Sequence, residues 1–125
     1  MGQSFGYALE NESYRFLPEI LKTRYGIEVK EKIIRVGIGG REINLFCPAI
    51  KAGREILVVG EAKTKLDVYK EQPEVFAELE EKVQAVLAKY PEAEIVKVVV
   101  THFASNSFLE KAKQRGIIVV QSFEW

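Results

Sequence analysis

The sequence predicts one α/β domain over residues 1–125, with a mixed central sheet flanked by helices. Three strand-like segments follow one another closely within residues 27–64, which favours an antiparallel meander. From residue 73 onward, helical and strand-like segments alternate, which favours parallel strands joined by right-handed crossovers. The predicted element order is therefore α-β-β-β-α-β-α-β.

The first helix is predicted over residues 7–24, because its apolar residues recur at the helical period. Gly26 follows it and is a residue suited to ending a helix. Pro18 lies inside the pattern and predicts a kink or a break, since proline removes one backbone hydrogen bond and crowds the preceding turn.

The meander that follows has its strands predicted over residues 27–36, 41–50 and 54–64. A glycine-rich segment, residues 37–40, is expected to turn the chain between the first two strands. Ala52-Gly53 is expected to form the hairpin turn between the second and third strands. These turns make the second and third strands antiparallel neighbours.

The second half of the chain begins with an amphipathic helix predicted over residues 73–89, which Tyr90-Pro91 ends. Ile95 to Thr101 is an almost continuous apolar run and predicts a strand buried on both faces. A short helix is expected next, capped by Ser105 or Asn106 and ending at Gly116, and the last strand is predicted over Ile117 to Gln121.

Composition and charge exclude several classes of protein. An apolar content of 47% with 29% charged residues is typical of a globular domain, and the longest apolar runs are too short to span a bilayer. A single cysteine, Cys47, and an N-terminus unlike a signal peptide favour a cytoplasmic location. The net charge is zero, but residues 22–65 carry ten basic against five acidic residues, whereas residues 66–94 carry three against eight.

The tripeptide Glu61-Ala62-Lys63 is the candidate functional motif, because it ends an apolar strand-like run. Side chains two residues apart on a strand share a face, so Glu61 and Lys63 are expected to project together. Glu42 and Asn44 share a face of the preceding strand by the same rule. If the two faces coincide, the four polar groups converge into a set of the kind that binds Mg²⁺ and phosphate.

These residues resemble the signature of the PD-(D/E)XK nuclease superfamily, whose members have the restriction-endonuclease-like fold. The resemblance lies in the segment Arg41-Glu42-Ile43-Asn44-Leu45-Phe46, the sixteen residues between Asn44 and Glu61, and the tripeptide itself. The predicted element order also matches the core of that fold, which archaeal-type Holliday junction resolvases share.

The resemblance implies a role for each matching residue. Glu61 corresponds to the second metal-binding acid and Lys63 to the motif lysine. A glutamate of the first helix is expected to face the metal, with Glu12 the best match and Glu10 the alternative. The remaining positions are a polar residue after the lysine and further contacts to nucleic acid, for which the candidates are Lys65, Gln72 and Arg41.

Asn44 stands where the superfamily has an aspartate. It offers a neutral amide oxygen in place of a carboxylate, so Glu42 or Asn44 would have to complete the metal shell. The resemblance thus implies a DNA-cutting nuclease that uses Mg²⁺ or Mn²⁺ and works as a homodimer. The alternative is a degenerate nuclease-fold protein that binds nucleic acid, or forms a dimeric assembly module, without cleavage.

Overall fold

The computed structural model describes residues 2–64 and 73–125. Three helices, six strands and a final 3₁₀ turn follow in the order α1 Gly2–Tyr25, β1 Ile27–Val29, β2 Ile34–Ile38, β3 Arg41–Lys51, β4 Arg54–Lys63, α2 Pro73–Lys89, β5 Ile95–Thr101, α3 Asn106–Gln114, β6 Ile117–Gln121 and the turn Ser122–Glu124. No helix in these two ranges is long and apolar enough to cross a bilayer.

The sheet is mixed, as predicted. Its strand order is β1-β3-β4-β5-β6, and β2 also pairs with β3. The pairs made by β1, β2 and β4 with β3 are antiparallel, whereas β4 with β5 and β5 with β6 are parallel. The antiparallel meander and the parallel part of the sheet therefore meet at β4, which lies between β3 and β5.

Two details of the N-terminal half differ from the prediction, namely the first strand and the possible break at Pro18. The first predicted strand is split into β1 and β2 by the charged residues Lys30, Glu31 and Lys32, so the sheet has six strands. Helix α1 continues through Pro18 without a break. Proline removes only one hydrogen bond of the helix, and buried Leu17 and Leu21 anchor the helix on either side of it.

Each face of the sheet carries its own hydrophobic core. Helix α1 packs on one face against alternate residues of the central strands, including Leu45, Cys47, Val58 and Val98. Helices α2 and α3 cover the other face, where the buried strand residues are Ile43, Phe46, Val59 and Val99. Both sets contain fully buried aliphatic side chains, which fix the position of every strand relative to its helix.

A bulge in β3 changes which side chains share a face. Ile34 pairs with Phe46 and Val36 pairs with Ile43, so β3 advances three residues while β2 advances two. Ile43 and Phe46 consequently lie on the same face, although strict alternation would separate them. Before the bulge, each side chain of β3 therefore lies on the face opposite to the one that the alternation after the bulge would give it.

Candidate functional site

Glu61 is a buried carboxylate near the end of β4, on the face covered by α2. Its residue is only 2% exposed, and its Oε1 contacts the Nζ of Lys82 in α2. Gly60 precedes it at a point where a Cβ would lie 2.9 Å from the carbonyl oxygen of Val98. A glycine is needed there because any side chain would push β4 away from β5.

The ionisation of Glu61 depends on two opposing effects. Burial raises the pKa of its carboxyl group, and the hydrogen bond from Lys82 is the largest influence that lowers it. The charge of Lys63 lowers the pKa further, whereas Glu78 raises it. The net effect is a raised pKa, and Lys82 is the residue that opposes it most.

Lys63 projects from the same face as Glu61 but pairs elsewhere. Its Nζ lies 2.9 Å from Oε2 of Glu78, which is one helical turn before Lys82 on α2. Residues four apart on a helix lie on one side of it, so α2 presents an acid to Lys63 and a base to Glu61. The two residues of the motif are each matched by a residue of opposite charge.

Asn44 has a structural contact that the sequence did not indicate. The backbone pairing of β3 with β4 ends at Leu45 opposite Gly60. Beyond it, the Asn44 Oδ1 accepts a hydrogen bond of 3.1 Å from the backbone N–H of Ala62. The amide oxygen therefore extends the strand pairing at the bulge instead of standing free beside Glu61.

A second polar cluster surrounds Arg35 on β2. Its guanidinium donates to both carboxylate oxygens of Glu10, at 3.0 and 2.7 Å, and to both of Glu42, at 3.0 Å each. The Tyr14 hydroxyl donates to Glu10 at 2.6 Å and also lies 3.0 Å from the backbone carbonyl of Asn44. This cluster joins α1 to β2 and β3.

The Arg35 cluster shifts the pKa values of Glu42 and Tyr14. The hydrogen bonds from Arg35 lower the pKa of Glu42, and burial followed by the hydrogen bond to Glu10 raises the pKa of Tyr14. Glu42 is thus paired with Arg35, which also binds Glu10 of α1, whereas Glu61 is paired with Lys82 of α2. The expectation that Glu42, Asn44, Glu61 and Lys63 converge as one set does not match this arrangement, because the β3 bulge shifts the alternation.

The remaining predicted residues are dispersed. Glu12 accepts a hydrogen bond of 3.1 Å from the indole N–H of Trp125, which stacks on Phe16. The alternative, Glu10, is linked through the Tyr14 hydroxyl to the backbone carbonyl of Asn44. Arg41 pairs with Glu81 at 3.0 Å. Lys65 and Gln72 lie outside the described residues, so their roles remain predictions.

The residues present do not fit a magnesium site of the superfamily type. Glu61 brings one carboxylate, which is balanced by Lys82, and the Asn44 oxygen is turned to the Ala62 N–H. In residues 2–64 and 73–125, no group of three or more histidine, cysteine or acidic side chains is arranged to hold a metal ion. Mg²⁺ requires several oxygen ligands, usually including carboxylates, so no reaction step is assigned to a metal here.

Three residues of this region were not selected from the sequence, namely Tyr14, Arg35 and Lys82. Lys82 could have been found, because it follows Leu79 by three residues and precedes Val83, which places it beside the buried stripe of α2. Arg35 and Tyr14 carry no such signal, since their contacts depend on the split of the first strand and on the bulge.

Residues 11–124 match the family described as a domain of unknown function, DUF8196. The chain belongs to the DUF8196 family. A comparison of this DUF8196 protein with curated proteins gives no significant match.

Two solved structures are similar to this DUF8196 chain. One is an fdxN element excision controlling factor protein from Anabaena variabilis, with 13% identity, a TM-score of 0.53, and coverage of 90% of this chain and 93% of that one. The other is an XisH family protein from Nostoc punctiforme, with 14% identity, a TM-score of 0.49, and coverage of 89% and 92%. At such identities the likeness concerns the fold alone.

Proposed function

We propose that this DUF8196 protein is a restriction-endonuclease-like protein that binds nucleic acid without cutting it. Three features support the proposal: the element order, the position of Glu61-Ala62-Lys63 at the end of β4, and the likeness of fold to a protein described as an excision controlling factor. That description names a factor that controls the excision of an element, a role that binding without hydrolysis can fill.

The contact between Glu61 and Lys82 is the observation that carries the proposal. Metal-dependent phosphodiester hydrolysis requires acidic side chains that share a cation and activate water. Here the buried acid is already balanced by an internal ammonium, and the neighbouring position is a neutral amide engaged with the backbone. The chemistry that remains at this edge of the sheet is charge recognition.

Phosphate binding would use the cations at the rim of α2. Arg41 pairs with Glu81 and Lys63 pairs with Glu78, and all four side chains are partly exposed to solvent. Exposed ion pairs of this kind contribute only about 0–1 kcal/mol. Both cations can therefore exchange their carboxylate partners for phosphate oxygens at low cost, whereas the buried Lys82 cannot.

The proposal is tested by incubating the protein with labelled duplex, branched and single-stranded DNA, with and without Mn²⁺. We expect binding that weakens as salt rises, because phosphate contacts release counterions, and no cleavage. Arg41→Gln should weaken binding. Arg54→Gln is the matched control, since Arg54 pairs with Glu94 far from the motif at the opposite end of β4.

Two results would overturn the proposal. Mn²⁺-dependent cleavage that disappears in Glu61→Gln or Lys63→Ala would make the protein an active nuclease. Absence of binding to every DNA at low salt, where phosphate contacts are strongest, would remove nucleic acid as the partner.

Homodimer formation is a second candidate, favoured by the outer strand of the sheet. Within the described residues, β6 has a partner only on its β5 side, and its sequence from Ile117 to Gln121 contains no charge, proline or bulge. Charges, prolines and bulges normally protect an edge strand from pairing with another chain, and β6 lacks all three. Exposed Phe103 and Phe123 lie beside the end of β6 and add apolar surface. A second copy is the occupant we propose, paired antiparallel through β6.

Charge exchange at Val119 tests this pairing, because a twofold axis at the strand centre places residue 119 opposite its own copy. Val119→Lys and Val119→Glu should each be monomeric, since like charges repel across the pair. Their equimolar mixture should recover the dimer in analytical ultracentrifugation. A wild-type monomer at all concentrations, or a mixture that stays monomeric, would refute the β6 interface.

A further inference from the structure

We infer that the Lys82 ammonium is a built-in cation that takes the place of a divalent metal beside Glu61. The inference rests on the proposed function, because it explains how a nuclease-like site becomes a site that does not cut. It assigns to Lys82 a role that neither the motif nor the fold likeness indicates.

Glu61 is buried, and most of the Lys82 side chain is covered. Glu61 is 2% exposed and the Lys82 side chain is 16% exposed. A buried carboxylate must be protonated or balanced by a positive charge. A metal ion and an ammonium group are two ways to balance it, and the ammonium of Lys82 already occupies Oε1 of Glu61 and opposes a second positive charge beside it.

Helix α2 holds Lys82 in place. Leu79 and Val83, on either side of it in sequence, are buried against the sheet. Val83 and Leu79 fix the rotation of α2, so the Lys82 side chain starts at the margin of the packed stripe and ends at Glu61. The contact is therefore built into the packing of α2 on β4.

Asn44 and Lys82 are two departures from the superfamily pattern, and together they balance the charge around Glu61. An aspartate at position 44 would add one negative charge near Glu61, and Asn44 adds none. Lys82 then supplies one positive charge against the single negative charge of Glu61. Asn44 and Lys82 together bring the local charge to zero, whereas two carboxylates without the lysine would bring it to the −2 that suits a divalent cation.

Asn44→Asp is compatible with the observed backbone. One carboxylate oxygen can keep the hydrogen bond from the Ala62 N–H, which Asn44 Oδ1 now accepts. The second oxygen then replaces the amide nitrogen and adds a second acceptor atom that shares the negative charge. Combined with Lys82→Met, this change adds a second acid on the strand next to Glu61 and removes the competing ammonium.

Mn²⁺ binding, measured by electron paramagnetic resonance and by the rise in melting temperature, tests the inference without reference to activity. The proteins to compare are the wild type, Asn44→Asp, Lys82→Met and the double variant. We expect the double variant to bind Mn²⁺ at least about tenfold more tightly than the wild type, because affinity follows the number of ligand charges. Asn44→Asp with Lys63→Met is the matched control, since it removes the other lysine and keeps Lys82.

The outcomes separate this inference from the proposed function. A folded double variant that binds Mn²⁺ no more tightly than the wild type, or no more tightly than the Lys63 control, overturns the inference while DNA binding without cleavage still stands. Cleavage by the wild type overturns the proposed function itself. Circular dichroism establishes folding, and Lys82→Gln, which keeps a polar end group, replaces Lys82→Met if the latter unfolds.

Discussion

Replacing Lys82 by methionine leaves the Glu61 carboxylate buried without its ammonium partner. Methionine keeps the approximate length and apolar stem of lysine, so packing between α2 and β4 is preserved and the loss of charge is isolated. Glu61 is 2% exposed and cannot turn to solvent without moving β4. The substitution therefore measures what the ion pair contributes to the free energy of unfolding.

The expected loss is about 3 kcal/mol at pH 8, at the lower end of the range for breaking a buried pair. The lower end applies because Lys82 is partly exposed and because Lys63 also lowers the pKa of Glu61. For a domain of 125 residues, an unfolding entropy of about 2.1 cal/mol/K per residue converts 1 kcal/mol into about 4 °C. The melting temperature should fall by about 11 °C on the same basis.

The loss should depend on pH. Burial raises the pKa of Glu61 above its usual range even in the wild type. A carboxyl group with a raised folded-state pKa contributes stability that is present below its unfolded pKa and is lost as pH rises through its folded pKa. Removal of Lys82 raises that pKa further, so the variant should lose little relative to the wild type near pH 5 and most near pH 8.

Urea unfolding at both pH values is the assay, with Lys63→Met as the matched control. The pair of Lys63 with Glu78 has side chains that are 34% and 46% exposed, so its removal should cost less than about 1 kcal/mol. Glu61→Gln combined with Lys82→Met should recover most of the loss, because no charge is then left buried. A loss below 1 kcal/mol for Lys82→Met at pH 8, or one independent of pH, would refute the reasoning.

Three further substitutions test the fold around the site by urea unfolding. Ala52→Asn should stabilise the protein by about 1 kcal/mol, because Ala52 has φ = 52° in the hairpin turn and asparagine tolerates that conformation better; no gain would contradict the turn geometry. Gly60→Ala should cost at least about 2 kcal/mol, since its Cβ would meet the Val98 carbonyl, and a neutral result would contradict the close approach. Tyr14→Phe should cost about 1–2 kcal/mol by leaving the buried Glu10 with one donor fewer, and a stability equal to wild type would remove the hydroxyl from the cluster.

The parts of the fold that were predictable are those with strong periodicity. Ile95–Thr101 and Ile117–Gln121 have the predicted bounds because their apolar runs are interrupted only by Lys97 and contain no glycine or proline at which a strand would end earlier. The helix over residues 73–89 was predicted from its apolar stripe, which recurs at the helical period. The first strand was predicted as one, because the break over residues 30–32 depends on charges that a strand can also carry.

The candidate site was predictable only in part, and the bulge in β3 explains the difference. Glu61 and Lys63 share a face as expected, and both pair with α2. Alternation along a strand holds only while each residue has one partner, and the extra residue between Ile43 and Phe46 breaks it. No sequence rule reveals that extra residue, so Glu42 was expected beside Glu61 but pairs with Arg35.

The bulge and the internal cation have a common consequence for the motif. Asn44 is the residue at the bulge, and its amide oxygen continues the strand pairing where backbone pairing stops. An aspartate could accept the same bond, but its second oxygen would add charge beside a carboxylate that is already buried. With Lys82 balancing Glu61 alone, the neutral amide is the side chain that satisfies the backbone without disturbing that balance. The asparagine that departs from the nuclease pattern therefore fits the lysine that faces the motif.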